Sequence, residues 1–106
     1  QNGGFMTIPQ REGFLRPVLK AFSDGEPRTQ KQIDPMVAKI LNLSNEEAKE
    51  LAMHSTQTLV EERVAWSIFS LVRGGLLIKV GNNGYYKISP AGLKAVNSTA
   101  NINALL

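Results

Sequence analysis

The sequence predicts a mainly helical α+β domain, with helices over its first two thirds followed by a single β-hairpin and a last short helix. Three observations carry this reading. Residues 59–76, LVEERVAWSIFSLVRGGL, place Val60, Val64, Ser67, Leu71 and Gly74 on one face of a helix at i, i+4, i+7 spacing. Two β-prone runs, residues 76–80 and 85–88, flank Gly81-Asn82-Asn83-Gly84, whose Asn and Gly residues tolerate the positive φ of a hairpin turn. Finally, Thr29 with Gln32 and Ser44 with Glu47 have the spacing of capping boxes and mark two further helix starts.

Taken in order, residues 1–6 read as a disordered lead or tag scar, and the folded domain is expected over residues 7–96. Pro9 suits the first turn of a helix, where its missing N–H breaks no bond. Phe14, Leu15, Val18, Leu19 and Phe22 form the stripe of a first helix, with a kink or restart expected near Arg16 because Pro17 falls inside it. Ser23-Asp24-Gly25 is turn chemistry. The second helix, opened by Thr29, is expected to bury Ile33, Met36, Val37, Ile40 and Leu41. A short third helix opens at Ser44, with Glu46 and Glu47 at its positive end, and is expected to reach about Met53. A polar link, residues 54–57, leads into the central helix.

That central helix carries large apolar groups on both sides, because Glu62, Trp66, Phe69 and Arg73 share the face opposite Val60 and Val64. A helix of this kind is central, not peripheral. Gly74-Gly75 stops it, since Gly adopts the left-handed cap conformation without a Cβ clash. Ser89-Pro90 then opens the last helix by N-cap and first-turn proline. Residues 97–106 read as the start of a linker. Two strands are too few to stand alone, so a third is expected at residues 26–28. The order of elements is that of a winged helix-turn-helix with a short hairpin wing.

Composition narrows the function. A chain of 106 residues, 42% hydrophobic, holds one core. With no Cys there is no disulfide, thiol nucleophile or thiolate metal site, and a lone His54 makes no His-rich zinc site. No apolar run approaches the roughly 20 residues of a membrane span. No signal peptide is visible, so a cytoplasmic location is expected. The net charge of +3 is unevenly spread. Residues 44–62 hold five acids and one base, whereas residues 63–106 hold five bases and no acid. The central helix and hairpin thus begin an acid-free half, the distribution a nucleic-acid footprint requires.

Double-stranded DNA is therefore the expected partner. Arg63 is the expected base or phosphate contact, its planar fork matching guanine edges and phosphate oxygens, with Gln57, Thr58 and Ser67 as smaller donors nearby. The wing offers Lys79, Asn82, Asn83, Tyr85 and Lys87 to phosphate or the minor groove. Thr29, Gln30 and Lys31 lie at a helix start able to present backbone N–H groups to phosphate. Beside each stands a plainer role: Arg63 paired with Glu61 or Glu62, solvated wing lysines, simple capping at Thr29. Trp66 is expected in the core; anchoring a partner protein and stacking on a base are its other readings. Asp34, Glu47 and Lys49 mimic a metal-dependent nuclease signature but fall on helices, whereas that chemistry needs them on adjacent strands around Mg²⁺. No catalytic residue, metal or cofactor is expected.

The chain resembles the N-terminal domain of Mrr-type restriction endonucleases over about residues 7–96. The resemblance is carried by Pro9 with Phe14-Leu15-Arg16-Pro17-Val18-Leu19, by Leu43-Ser44, and by Arg63, Trp66, Leu71, Gly75 and Leu76. Gly84, Tyr86, Ile88, Ser89-Pro90 and Ala91-Gly92 complete it. It implies a winged-helix module that brings a separate C-terminal nuclease domain, absent from this chain, to modified and typically methylated DNA. Two positions depart from the family pattern: Glu62, where an amide or base is common, and Ser67, where Ala is typical. The rival reading is a winged helix used for protein–protein or self association through Trp66, Phe69 and the acidic segment. A weaker one is a stand-alone transcription regulator.

Overall fold

The computed structural model describes residues 8–106. The expected lead at residues 1–6 lies outside them. A 3-10 turn, Arg11–Phe14, runs directly into α1, Leu15–Ala21. This is the restart expected near Arg16. Pro17 stands third in α1, where the backbone N–H has no helical partner anyway. Then follow β1 (Arg28–Thr29), α2 (Gln30–Ile40), α3 (Asn45–Ala48) and the long α4 (Leu59–Arg73). The hairpin strands β2 (Leu77–Val80) and β3 (Tyr85–Ile88) lead to α5 (Pro90–Val96) and a last 3-10 turn, Asn103–Leu105. The strands form an antiparallel sheet in the order β1-β3-β2. The expected third strand is present, shifted to Arg28 and Thr29. The whole is an α+β fold of winged-helix type.

The capping boxes at Thr29–Gln32 and Ser44–Glu47 form as the sequence indicates. A third, Thr58–Glu61, opens α4. Helix α4 is central. Its Val60, Val64, Ser67, Ile68 and Leu71 are buried in one cluster with Phe14, Leu15, Val18, Leu19 and Phe22 from the first helical segment and Ile33 and Val37 from α2.

The end of α4 is a Schellman turn. Leu76 N–H donates to Leu71 O (2.9 Å), Gly75 N–H donates to Val72 O (3.1 Å), and Gly75 takes φ +78°. Ser89 then ties this turn to the next helix. Its hydroxyl donates to Gly75 O (2.6 Å) and accepts from Gly92 N–H (3.0 Å), while its N–H donates to Leu76 O (3.0 Å). Gly92 sits so close that a Cβ there would lie 2.1 Å from Leu76 O.

Four expectations need correction. Ile40 is exposed, because α2 ends in its own Schellman turn at Asn42 (φ 57°) and only Ile33 and Val37 are fully covered. Helix α3 stops at Ala48, not Met53. The chain beyond is held by cross-loop bonds, Leu59 N–H to Glu50 O and Ala52 N–H to Gln57 O (both 2.8 Å), and Met53 is 84% exposed. Trp66 is half-buried at the edge of the core rather than within it. The stretch 97–106, expected as a linker, is fastened to the domain: the Arg16 guanidinium donates to Val96 O (3.1 Å) and Ala100 O (2.5 Å), and Ile102 is buried.

Ser67 is fully buried, and its hydroxyl has no partner among the described residues. A buried hydroxyl left unpaired carries a desolvation penalty. Ser67→Ala is therefore expected to raise stability by about 1 kcal/mol in a urea titration. A loss of stability would show that the hydroxyl is bonded.

Candidate nucleic-acid interface

Helix α4 buries one side and leaves the other open. Phe69 is 60% exposed, Glu62 and Arg73 are exposed, and Trp66 is half-covered beside them. Two arginines lie over these aromatic rings: the Arg73 guanidinium carbon is 5.6 Å from the Phe69 ring centre, and that of Arg11 is 5.2 Å from the ring centre of Trp66. Cations prefer such ring faces because of the ring's negative quadrupole.

The hairpin determines what stands beside this helix. Strand register pairs Leu77 with Ile88 and Lys79 with Tyr86, and pairs Ile78 with Lys87 and Val80 with Tyr85. Side chains alternate along a strand. Leu77, Lys79, Tyr86 and Ile88 therefore share the face turned toward α4, while Ile78, Val80, Tyr85 and Lys87 share the other. Between hairpin and helix lies a hollow of about 420 Å³, lined by Gln30, Ala65, Ile68, Phe69, Val72, Arg73, Lys79 and Tyr86. It carries two cations and no acid.

The residues predicted from sequence are dispersed around this geometry. Lys79 lines the hollow. Lys87 and Tyr85 lie on the opposite face of the hairpin, and Asn82 and Asn83 are exposed at its tip. Arg63 Nη1 donates to Pro9 O at 2.6 Å. It borders a separate hollow of about 400 Å³ with Gln10, Arg11, Glu62 and Trp66. From Arg63 to Val72 is about two and a half helical turns, so Arg63 and the wing stand on opposite flanks of α4. Arg63 pairs with neither Glu61 nor Glu62, the ion pair among the described residues being Arg28 with Asp24 at 2.7 Å.

Thr58 is the N-cap of α4, its hydroxyl accepting from Glu61 N–H (3.0 Å), and Gln57 is exposed just before it. Ser67 is sealed in the core, which corrects its expected place among the DNA-facing donors. Lys31 borders a third hollow of about 310 Å³ between α2 and the start of α4, with Asp34, Pro35, Thr58 and Glu61 among its walls. Arg73, Phe69 and Tyr86 are absent from the expected contact set, and Gln30 enters it only through its backbone N–H. For Phe69 and Arg73 the signal is the face they share opposite the buried stripe, and for Tyr86 it is the strand alternation that places it with Lys79.

Gln30, on the wall of the hairpin hollow, donates from Nε2 to Glu61 O (2.8 Å) and, at 3.4 Å, to Oδ1 of Asp34, which borders the third hollow. Burial pushes the Asp34 carboxyl up to about 6, against the lowering effect of the Gln30 bond and with the Glu61 charge adding to the rise. Glu47 Oε1 accepts Ser44 N–H (2.8 Å) as the second half of its cap. Among the described residues, no group of three or more His, Asp or Glu is placed to hold a metal ion, and no helix is long and apolar enough to cross a membrane.

The family profile of the Mrr N-terminal domain matches residues 12–98. No curated protein and no solved structure matches the chain.

The raised Asp34 carboxyl makes stability pH-dependent in a defined direction. Folding favours its protonated form, so this contribution is full below the unfolded value near 4 and is lost as pH rises through about 6. Asp34→Asn is expected to raise the melting temperature at pH 7 and to flatten its fall between pH 4 and 6 relative to wild type. Parallel melting curves for the two proteins across that window would show Asp34 ionising freely instead.

Proposed function

We propose, from the premise that this chain belongs to the Mrr N-terminal domain family, that it is the DNA-targeting module of a modification-dependent restriction system. In this reading it docks duplex DNA between the open face of α4 and the inner face of the hairpin. The observation that carries the proposal is the acid-free hollow lined by Arg73 and Lys79 together with Phe69 and Tyr86. Arg73 presents a planar fork suited to guanine or phosphate. Lys79, across the hollow, is a compact cation for the phosphate backbone. Gln30, at the start of α2, closes the wall of the hollow, its amide held by Glu61 O and Asp34. Wing and helix straddle a backbone because the turn at Gly75 holds them side by side.

The match covers the N-terminal domain alone. Cleavage in this reading belongs to a C-terminal nuclease domain of the parent protein, the module works in the cytoplasm where the DNA is, and its targets are methylated duplexes. A second reading, association with another protein, is favoured by the exposure of Phe69. Salt separates the two: phosphate contacts release counterions and make affinity fall steeply with salt, whereas an apolar protein contact responds weakly.

Fluorescence anisotropy titrations of a labelled duplex at several salt concentrations test the reading. Arg73→Ala and Lys79→Ala are each expected to weaken binding and lower the salt slope by about 1. Lys87→Ala, on the far face of the hairpin, is expected to leave both nearly unchanged. Salt-insensitive binding, or equal effects from Lys79 and Lys87, would reject this docking face.

A further inference from the structure

Met53 and Leu51, on the loop that leads into α4, are 84% and 59% exposed, while Ala52 between them is buried. Backbone bonds close this loop from side to side. Leu59 N–H donates to Glu50 O and Ala52 N–H to Gln57 O (both 2.8 Å), Leu51 and Thr58 form an antiparallel bridge, and Ser55 N–H donates to Ala52 O (3.2 Å). His54, with φ 58°, turns the chain at the tip. The loop therefore holds two large apolar side chains outward, and groups held in this way are what a partner surface buries. The segment is also acidic: residues 44–53 contain three acids and one base, and Glu50 is exposed at the foot of the loop.

The hollow between α4 and the hairpin is the complement of this loop. Ile68, Phe69, Val72 and Tyr86 give it apolar walls, Arg73 and Lys79 make it cationic, and no acid lines it. Its 420 Å³ falls within the about 300–1,000 Å³ of pockets that take large apolar groups. The loop cannot enter the hollow of its own chain. It ends at Leu59, and Arg73 lies at the other end of α4, about 20 Å along the helix. We propose that the loop of one copy docks into the hollow of a second copy, with Met53 and Leu51 against Phe69 and Tyr86 and with Glu50 toward Arg73 and Lys79. Loop and hollow lie at opposite ends of α4, so the contact is head-to-tail and builds rings or open chains rather than a closed pair. The inference does not need the DNA-binding reading. Under that reading the docked loop takes the place of the duplex, its carboxylates standing where phosphates would.

Analytical ultracentrifugation of the chain across a range of concentrations tests it, with two complementary variants. Met53→Asp spoils the loop and leaves the hollow intact; Phe69→Asp spoils the hollow and leaves the loop intact. Each alone is expected to weaken self-association about tenfold or more. Mixed in equal amounts, they are expected to form a one-to-one complex of twice the monomer mass and nothing larger, because one intact loop meets one intact hollow. Lys79→Glu is expected to act as Phe69→Asp does and replaces it should the latter fail to fold. All three side chains are exposed, so melting temperatures equal to that of wild type show the variants to be folded. A wild-type chain that stays monomeric at the highest attainable concentration overturns the proposal. So does an assembly untouched by the variants, or a mixture that remains as dissociated as its components. None of these outcomes involves DNA, so each leaves the DNA-binding reading to its own titrations.

Discussion

The backbone junction at Gly75 and Leu76 is the constraint on which the arrangement depends. Three elements converge there. Helix α4 ends by accepting the Leu76 N–H at Leu71 O, β3 returns to it through the bond from Ser89 N–H to Leu76 O, and α5 presses Gly92 against the same carbonyl. Ser89 links all three, since one hydroxyl caps α5 and bonds Gly75 O. The positive φ of Gly75 is what turns the chain at this point. Were the turn looser, the hairpin would swing relative to α4 and the hollow between them would lose its shape. Ser89 is buried and both its polar roles are filled, so its replacement would strand two backbone groups at once.

Much of the fold was legible because its signals are local. Capping boxes, a Gly-Gly stop and a Ser-Pro start each act within four residues, and the structure forms every one. What was not legible depends on contacts distant in sequence. Arg63, already on the flank of α4 away from the wing, gives its guanidinium to a carbonyl 54 positions earlier, Pro9 O. The end of α3 is set by Leu59 bonding back to Glu50 O, which no propensity at Lys49 or Glu50 announces. The tail after Val96 has a polar, linker-like composition, yet Arg16, 80 positions before Val96, holds it down. The division of Lys79 from Lys87 is a different case. Strand alternation contained it already, and summing charge over the hairpin obscured it.

Charge counting also concealed how the acids are used. Of the acids in residues 44–62, Glu47 and Glu61 have their carboxylates in capping boxes at helix starts, bonded to backbone N–H groups. There they face the positive end of a helix dipole. Asp34, outside that run, is a half-buried acid whose ionisation the surroundings resist. None of the three lines the hollow between α4 and the hairpin. The acid-free character inferred for the C-terminal half is therefore strongest in one place, the hollow bordered by Arg73 and Lys79.

Glu62 gives the remaining asymmetry its meaning under the DNA-binding reading. It is exposed near the start of α4, on the face that carries Phe69 and Arg73 further along. A carboxylate repels the phosphate backbone, so the early turns of α4 are poorly suited to lie against a strand. The last turns carry Arg73 and face Lys79 across the hollow, and both attract it. The charge along the helix thus grades from repulsive to attractive in the direction of the hairpin. A duplex meeting this surface would be drawn to the end of α4 where the wing stands, and would meet Glu62 only where a base amino group, not a phosphate, was presented to it. Docking by the C-terminal half of α4 follows from this gradient, whereas a reading based on Arg63 alone places the contact at the opposite end.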